Sequence, residues 1–436
     1  VGRGLVNIIH GTTVATNATL EGKGVRTAYI TNKGMKDVLS IGRQTRLELY
    51  NLAVTKKTIT PEEDLLFEVD VRCAADGAVI KELDASELAA LTEEVRRAEP
   101  EAIAVNLLFS FVNDEHERLI EAALAKDFFV SRSSAVLPEY REYERGVATW
   151  VNAWLGPIIN DYLLALSKSL EPSQVAIMQS SGLTIAAAQA AGKAVNLLLS
   201  GPAGGLAAAQ MLARLTGKSQ LMTFDMGGTS TDVSLLQDGI RLSSENHIAG
   251  LPIAIPMADI HTIGAGGGSI AYVDEGGLLQ VGPHSAGADP GPACYGLGGK
   301  DATVTDANLL LGRLNPDAFL RGEMALDMDA ANAAVNRVAQ QLGLTIQETA
   351  QGIVDIASEL MAQALRVISI ERGHDPRDYT LVCFGGAGGM HLCQLAETLE
   401  ITEAIVPVHA GVLSALGMLA TKPGREMTRT HRMLLD

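Results

Sequence analysis

FDMGGTSTD, residues 224–232, lies between two apolar segments and has the composition of a tight turn that joins two strands. Adjacent glycines at the tip let the backbone approach a phosphate closely and direct N–H groups towards it. Asp225 ends one strand, where a carboxylate can hold Mg²⁺ directly or through water, and Asp232 would orient that ion or its water. An ordinary hairpin rich in turn formers needs neither these two acids nor the hydroxyls between them. The stretch is therefore interpreted as a phosphate-binding hairpin, whose further contacts would be Gly227, Gly228, Thr229, Ser230 and Thr231.

On both sides of this hairpin, apolar runs alternate with helical periods, which is typical of the α/β class. Strands are predicted at 25–31, 101–109, 127–134, 174–179, 220–225, 232–236, 380–384 and 403–408. Helices are predicted at 113–125, 139–170, 200–215, 328–343, 346–372, 388–398 and 412–420. The glycine- and proline-rich stretch 250–300 is predicted to be mainly loop.

The composition limits the classes of function and partner. A length of 436 residues with 47% hydrophobic residues favours two or three domains, and a boundary is predicted near residue 215 with a return crossing near 390–410. The formal net charge of −17, without Lys/Arg runs, argues against a nucleic-acid partner. No apolar run approaches the ~20 residues of a membrane span, so no membrane partner is expected. Four cysteines without CxxC spacing are typical of reduced thiols in the cytoplasm.

A second glycine-rich motif, FGGAGGMH at residues 384–391, lies between a predicted strand and a predicted helix. Without side chains, such a turn lets a flat nucleobase or a ribose lie on the backbone at a helix N-terminus. A turn packed tightly on a neighbour would have the same composition. The hairpin elsewhere in the chain favours nucleotide binding, through Gly385, Gly386, Gly388 and Gly389.

A third motif, HGTTVATN at residues 10–17, begins a predicted helix. Its hydroxyl and amide groups are suited to face a substrate or a phosphate, and N-capping of the helix is the alternative explanation. The residues concerned are His10, Thr12, Thr13 and Asn17.

A fourth segment, residues 259–296, contains residue types that bind zinc or a similar divalent ion. The predicted ligands are Asp259, His261, Asp289 and Cys294. Their spacing matches no recognised zinc pattern. The alternative explanation is that they are polar residues with a structural role in a glycine-rich loop.

Several other nucleotide-binding and hydrolytic motifs are excluded. A Walker A loop that ended at Gly217-Lys218-Ser219 would need glycine where Leu212 stands. A nucleophile elbow around Ser285 would need glycine where Pro283 stands. The nine histidines form no HExxH motif.

These stretches resemble the hydantoinase A / 5-oxoprolinase family, which lies within the actin-, hexokinase- and chaperone-like ATPase superfamily. In chain order the matching segments are HGTTVATNATLEGKG (10–24), SGPAGG (200–205), FDMGGTSTDVSL (224–235), DIHTIGAGGGSIA (259–271), SAGADPGPACYG (285–296), TVTDANLLLGRL (303–314) and FGGAGGMH (384–391). The resemblance implies an actin/hexokinase-like (ribonuclease-H-like) ATPase fold with two α/β domains around a nucleotide cleft. Residues 224–232 would be one phosphate loop and residues 384–389 the adenosine loop.

The resemblance also implies a domain plan. Residues 1–215 would form the first ribonuclease-H-like domain, residues 216–390 the second with the hairpin and a glycine-rich insertion, and residues 391–436 a return segment on the first. Family members carry another phosphate loop, of Asp-x-Gly-Gly-Thr type, at their extreme N-terminus, and this chain has none. The first domain is therefore expected to be N-terminally truncated, and the C-terminal extension to be cut soon after Pro423.

The resemblance leaves three functions open. ATP, with Mg²⁺, would phosphorylate the carbonyl oxygen of a hydantoin, 5-oxoproline or other lactam, and a hydantoinase B-type subunit would assist ring opening. The ATP-binding subunit of a ketone carboxylase would share this ATP step. A non-catalytic actin-like module would bind nucleotide without turnover.

Overall fold

The computed structural model describes residues 6–44, 60–424, 426, 428 and 430. The chain folds into two compact units, each built from more than one segment. The first unit comprises the described residues of Val1–Ala203, Leu242–Ala258 and Thr421–Asp436. The second comprises Gly204–Arg241 and Asp259–Ala420. Both units combine helices with sheets, which confirms a mixed α/β fold.

The main sheet of the first unit consists of four parallel strands. Their order is Leu66–Val69, Thr27–Asn32, Ala102–Asn106 and Phe129–Arg132. Both central strands are buried along their whole length, which explains their nearly continuous apolar sequence. A smaller sheet pairs Gln174–Met178 with Asn7–His10 in parallel and with Thr184–Ala186 in antiparallel. Three short antiparallel strand pairs also lie in this unit: Arg72–Cys73 with Val79–Lys81, Leu242–Ser243 with Met257–Ala258, and Asn246–Ile248 with Leu251–Ile253.

One long helix, Glu142–Ser169, forms the centre of the first unit's core. Trp150 and Trp154 are one turn apart on it and stack with ring centroids 5.3 Å apart. Apolar side chains of the segment 242–258 bury themselves in the same core, which explains why this segment belongs to the first unit. The other helices are Val14–Glu21, Val38–Ile41, Ala85–Ala98, Glu115–Leu124, Ser133–Val136 and Ala187–Ala190, with 3₁₀ turns at Glu63–Leu65 and Ala191–Leu197.

The second unit is built on a mixed five-stranded sheet. Its strand order is His261–Ile263, Thr231–Gln237, Gln220–Met226, Thr380–Phe384 and Ala404–Ile405. Thr231–Gln237 is antiparallel to both of its neighbours, and the last two strands run parallel to Gln220–Met226. Because parallel strands end at the same edge of a sheet, Asp225 pairs with Phe384 and the two glycine motifs follow side by side.

Helix Ile346–Ile368 packs on this sheet through the largest core of the second unit. It begins at a capping box, in which the Thr345 hydroxyl accepts a hydrogen bond from the Glu348 N–H and the Glu348 carboxylate accepts one from the Thr345 N–H. The other helices are Val304–Leu310, Met328–Leu342, Leu392–Thr398 and Leu413–Ala420, with 3₁₀ turns at Ala293–Tyr295, Phe319–Gly322, Ile370–Arg372, Pro376–Asp378, Gly388–Met390 and Ala410–Val412. A hairpin of Ser269–Val273 and Leu279–Ser285 adds a two-stranded sheet.

Helix Ser200–Thr216 enters the second unit at Gly204 and packs against helix Leu413–Ala420. A β-carbon at Gly204 would lie 2.8 Å from the Ser414 carbonyl oxygen, and one at Gly417 would lie 1.9 Å from the Gly204 carbonyl oxygen. Only bare backbone permits this approach. A hydrogen bond connects the turn before helix Leu413–Ala420 to the sheet edge. The Gly385 N–H donates to the carbonyl of Ala410 in this turn at 3.1 Å.

Most predicted elements are confirmed with small shifts at their ends. The helix predicted at 139–170 is Glu142–Ser169, and the strand predicted at 25–31 is Thr27–Asn32. The strand predicted at 403–408 is only Ala404–Ile405, because Pro407 has no N–H to donate to a ladder. Residues 250–300 hold more regular structure than predicted, including the hairpin that ends at Ser285.

The compact units differ from the predicted domain ranges. The first crossing falls between Ala203 and Gly204 rather than near residue 215, because the helix packs from Gly204 onward on the second unit. Residues 391–420, predicted within a return segment on the first domain, belong to the second unit, where Ala404–Ile405 extends the sheet. The described residues from 421 onward lie in the first unit, and the Thr184 N–H donates to the carbonyl of Lys422.

No single helix within the described ranges has both the length and the apolar composition of a membrane span. Helical segments Ala187–Leu197 and Ser200–Thr216 together have the length and apolar composition of a span, but the chain bends by 98° between them.

Candidate functional site

The hairpin predicted at residues 224–232 is present, with strands Gln220–Met226 and Thr231–Gln237 joined by residues 227–230. Asp225 and Asp232 are direct partners across the antiparallel ladder, so their side chains leave the sheet on the same face. The Gly227 N–H donates to the carbonyl of Ser230 at 3.0 Å and closes the turn. The hairpin tip therefore presents two carboxylates beside a short, closed turn.

The two carboxylates have hydroxyl partners and no cationic partner among the described side chains. Ser414 Oγ donates to Asp225 at 3.4 Å, and Thr262 Oγ1 donates to Asp232 at 2.6 Å. Burial raises the pKa of Asp225. Burial also raises the pKa of Asp232 to about 6, with the charge of Asp225 adding to the effect. Two partly desolvated carboxylates without a counter-charge fit one Mg²⁺ ion, which takes one or two carboxylates and keeps several waters.

A support loop, Gly264–Gly268, lies against the hairpin turn. The Gly267 N–H donates to the carbonyl of Gly227 at 3.0 Å, and the Gly268 N–H donates to the carbonyl of Gly228 at 2.6 Å. A β-carbon at Gly266 would lie 2.7 Å from the backbone nitrogen of Ser230, so glycine is required there. The support loop therefore binds the turn's carbonyl groups and holds the tip in one conformation.

The glycine-rich loop, Gly385–Gly389, begins at the strand end beside Asp225. Gly385 has a φ of +83°, and a β-carbon there would lie 2.4 Å from both Asp225 Oδ1 and the Met226 carbonyl oxygen. The Ala387 N–H donates to that same carbonyl at 3.1 Å. The two glycine motifs predicted from sequence therefore meet at one edge of the sheet.

The glycines of the two motifs fall into two groups. At Gly388 a β-carbon would lie 2.8 Å from Cys383 Sγ, so Gly385 and Gly388 are required by protein packing. The nearest described atom to a β-carbon at Gly227 is 3.8 Å away, and at the other positions nothing described lies within 4 Å. Backbone that is open in this way can be approached closely by a phosphate or a flat ring. The open positions are Gly227, Gly228, Gly386 and Gly389.

The three hydroxyls of the hairpin differ in their surroundings. Thr229 is exposed and Ser230 is half-buried at the tip. Thr231 is fully buried, and its hydroxyl donates to the carbonyl of Ala265. Thr231 thus connects the hairpin to the support loop through this hydrogen bond, whereas the sequence predicted a contact with nucleotide.

The HGTTVATN residues lie in the first unit, where two of them have protein partners. His10 Nε2 is 2.6 Å from the Tyr162 hydroxyl, and burial lowers the pKa of His10. Ser200 Oγ accepts from the Thr12 N–H at 3.4 Å and donates to the Thr12 carbonyl at 3.0 Å. Thr13, the N-cap residue, makes no side-chain cap hydrogen bond, and Asn17 is exposed. A substrate- or phosphate-facing role for His10, Thr12, Thr13 and Asn17 stays a prediction.

The predicted zinc site is not formed. Across the described ranges, no group of three or more His, Cys, Asp or Glu side chains is placed to hold a metal ion. Asp259 instead pairs with Arg372 at 2.5 Å, and His261 lies in an edge strand, paired with Val233. Cys294 is fully buried, and burial together with Asp306 raises the pKa of its thiol, which disfavours a thiolate ligand. Asp289 lies on the exposed surface.

Sequence reasoning missed the two hydroxyls that bind the carboxylates. Thr262 is the ladder partner of Asp232 and precedes the support loop, so a strand prediction before that loop would have found it. Ser414 is 189 positions from Asp225 along the chain, and no local pattern connects them.

Comparison with known proteins extends over nearly the whole chain. The model of the hydantoinase/oxoprolinase family matches residues 145–426, and that of the hydantoinase/oxoprolinase N-terminal region matches residues 3–128. Caprolactamase subunit alpha of Pseudomonas jessenii is 37% identical over 440 residues, covering 98% of this chain and 63% of that protein. The 5-oxoprolinase 1 of Arabidopsis thaliana is 38% identical over 451 residues, covering 94% of this chain and 35% of that protein.

Two solved structures share the fold. The ATP-dependent caprolactamase from Pseudomonas jessenii has a TM-score of 0.81 at 36% identity and covers 94% of this chain. Nucleotide-free acetone carboxylase has a TM-score of 0.81 at 25% identity and covers 95% of this chain. The chain spans 61% of each of these structures. On these matches, the chain belongs to the hydantoinase/oxoprolinase family.

Proposed function

We propose that this chain is the nucleotide-binding part of an ATP-dependent enzyme that opens a cyclic amide, such as a hydantoin, 5-oxoproline or another lactam. The observation that carries the proposal is the meeting of Asp225, Asp232 and the open glycines of both motifs at one sheet edge. Half-buried carboxylates without a counter-charge and open backbone are what a Mg²⁺–triphosphate complex needs. The similarity to caprolactamase subunit alpha and to 5-oxoprolinases supports the cyclic amide as substrate.

The chemistry follows from the weak electrophilicity of an amide carbonyl, into which the ring nitrogen donates electrons. Transfer of the γ-phosphoryl group breaks its bond to ADP and forms a new bond to the carbonyl oxygen. Water can then add to the carbon, and the C–N bond breaks as the nitrogen takes up a proton, which leaves an acyl phosphate. A second water hydrolyses the acyl phosphate to the carboxylate and inorganic phosphate. Little of this needs covalent help from the protein, so positioning and charge neutralisation dominate.

In this proposal the residues of the second unit place the triphosphate. Asp225 and Asp232 would hold Mg²⁺, which supplies neutralisation of phosphate charge when bound. Gly227 and Gly228 would present backbone N–H groups to the phosphates, and Gly386 and Gly389 would lie under the nucleoside. The support loop would keep the hairpin tip rigid while the ligand exchanges.

The proposed fold is the actin/hexokinase-like ATPase fold, with the second unit as a ribonuclease-H-like half. The mixed sheet supports this, since three antiparallel strands are followed by two parallel ones. The longer relatives support the proposal that further segments and a hydantoinase B-type subunit complete the enzyme. Reduced thiols support a cytoplasmic location, since all four cysteines are free.

A ketone carboxylase is the second candidate, favoured by the similarity to acetone carboxylase. Both candidates share the ATP step, so the substrate must separate them. The test measures phosphate release by the full-length protein with lactams, hydantoins and, in the presence of bicarbonate, ketones. Stimulation by a cyclic amide is the expected result, and stimulation by ketones alone would favour the carboxylase.

The same assay tests the site and the non-catalytic alternative. Asp225→Asn should reduce stimulated release strongly, whereas Asp301→Asn, at an exposed position of the same unit, should leave it unchanged. Nucleotide binding without turnover on any substrate would instead identify a binding module.

A further inference from the structure

His391 follows the glycine-rich loop by two residues and lies fully buried in the second unit. Its backbone N–H donates to the carbonyl of Gly388 at 3.0 Å, and helix Leu392–Thr398 begins at the next residue. The proposed function uses the open backbone of Gly386 and Gly389, but it gives this side chain no role. A buried imidazole at the end of a ligand-binding loop requires an explanation of its own.

The first polar neighbour of the ring is Asn308, on helix Val304–Leu310. Asn308 Nδ2 donates to the carbonyl of Val304 at 3.0 Å, which fixes the orientation of the amide because a carbonyl only accepts. The same nitrogen lies 3.4 Å from His391 Nε2, so Nε2 is the acceptor and carries no proton. Asn308 Oδ1 is left buried with no hydrogen-bond partner in the described parts of the chain.

The opposite end of this chain of hydrogen bonds is a carboxylate on helix Ile346–Ile368. Asp355 Oδ1 accepts from Gln394 Nε2 at 2.8 Å, so Gln394 Oε1 is the atom that faces Ser358. The Ser358 hydroxyl donates to Gln394 Oε1 at 3.1 Å. Its oxygen is then the acceptor for His391 Nδ1, which lies 3.0 Å away. Both ends of the chain of hydrogen bonds therefore require the proton of His391 on Nδ1.

The surroundings of the ring favour its neutral form. Burial lowers the pKa of His391 to about 4, and the charge of Arg313 adds to the effect. A donor that points at Nε2 also disfavours the imidazolium, which has no acceptor to offer. His391 is thus a fixed neutral group that accepts on one side and donates on the other.

The ring connects the glycine-rich loop to helices Val304–Leu310 and Ile346–Ile368, one through each nitrogen. Nearer its start the loop is held by the sheet, where the Ala387 N–H donates to the carbonyl of Met226 at 3.1 Å. Gly389, whose backbone is open, lies between these two attachments. A loop that is already ordered loses less entropy when a ligand binds, so the affinity for the ligand is higher.

We propose that His391, held as its Nδ1–H tautomer between Asn308 and Ser358, is a positioning residue that keeps the glycine-rich loop in the conformation that binds the nucleotide. The inference rests on the proposed function, because that function assigns the loop to the nucleoside and the hairpin to the phosphates. Loosening the loop should therefore weaken Mg·ATP and leave the affinity for inorganic triphosphate unchanged. The expected loss is about tenfold, the effect of one lost buried hydrogen bond.

The tautomer is tested on the unmodified full-length protein without ligand. Long-range proton–nitrogen NMR correlation of histidine-labelled protein at pH 7 distinguishes a protonated ring nitrogen from a bare one. The ring of His391, identified by the loss of its signals in His391→Asn, should carry its proton on Nδ1. A proton on Nε2, alone or in a charged ring, overturns the proposal.

Equilibrium dialysis measures how the side chain affects affinity. His391→Ala should weaken Mg·ATP about tenfold, whereas His391→Asn keeps a donor at the δ position and should retain most of the affinity. Ser358→Ala removes the acceptor of the same proton, so combining it with His391→Ala should add little. His116→Ala, which removes a buried histidine of the first unit, is the matched control and should leave ATP affinity unchanged.

Thermal unfolding shows which variants are folded at the temperature of the binding measurement. A folded His391→Ala protein with unchanged ATP affinity overturns the positioning role and leaves the proposed function standing. Equal weakening of ATP and inorganic triphosphate does the same. If His391→Ala does not fold, equal ATP affinity of His391→Asn and His391→Gln, whose amide lies one atom further out, overturns the role. Absence of Mg·ATP binding by the unmodified protein overturns both proposals.

Discussion

Asp225 and Asp232 are register partners in one antiparallel ladder, and each accepts a hydrogen bond from a single hydroxyl, Ser414 for the first and Thr262 for the second. Two carboxylates brought together in this way repel each other and are costly to bury. A bound cation removes that cost. The pair therefore links the ionisation of the protein to ligand binding.

The first prediction concerns the pH dependence of Mg·ATP affinity. Because the pKa of Asp232 is raised to about 6, the carboxylate is protonated below that pH and cannot bind the ion. Affinity should rise about tenfold per pH unit below 6 and level off above it. Calorimetry from pH 5 to pH 8 measures this. Asp232→Asn should flatten the profile, Asp301→Asn should not, and a flat profile in the unmodified protein would contradict the assignment.

The second prediction separates the two groups of glycines. Gly385→Ala should lower the free energy of unfolding by at least about 1–2 kcal/mol, because of the positive φ alone, and the contact with Asp225 adds to this. Gly386→Ala meets no described atom and should leave stability nearly unchanged while weakening ATP binding. Thermal unfolding measures the stability of both variants, and equilibrium dialysis measures their affinity for ATP. Equal destabilisation by the two substitutions would show that the grouping is wrong.

The third prediction concerns His391. Its pKa is lowered from 6.5 to about 4 in the folded protein, so between these values the unfolded chain binds more protons. The free energy of unfolding therefore rises with pH across this window, and His391 should cost on the order of 3 kcal/mol between pH 7 and pH 4. The raised pKa values of Asp225 and Asp232 give the opposite slope.

The comparison with His391→Gln isolates the histidine contribution. Urea unfolding at pH 7 and pH 5 should show a larger loss of stability in the unmodified protein than in the variant. Equal losses would mean that His391 is not held neutral in the fold.

The fourth prediction concerns the contact between two helices. Gly417→Ala places a β-carbon against the Gly204 carbonyl, so it should destabilise the protein by about 1–3 kcal/mol. It should also weaken ATP binding, because the displaced helix carries Ser414. Gly411→Ala, where nothing described lies within 4 Å, is the control. Unchanged ATP affinity in a folded Gly417→Ala protein would show that this helix does not position Asp225.

Local signals explain what the sequence could predict. The hairpin around Gly227 and Gly228 and the loop after Phe384 were predictable because each motif lies between elements marked by a continuous apolar run or a helical period. The zinc ligands were predicted wrongly, because the partner that occupies Asp259 is Arg372, 113 positions away. The hydrogen bond from Ser414 to Asp225 was not predicted for the same reason, because these residues are 189 positions apart. Contacts between distant segments leave no spacing in the sequence to detect.

Gly417 lies inside a helix, where glycine costs about 1 kcal/mol relative to alanine. The isolated segment Leu413–Ala420 is therefore a less stable helix than the same segment with alanine at position 417. Engineering that improves helix propensity position by position would replace this glycine first. Such a redesign would stabilise the isolated peptide and damage the enzyme, so residue 417 should be held fixed in any thermostabilisation of this family member.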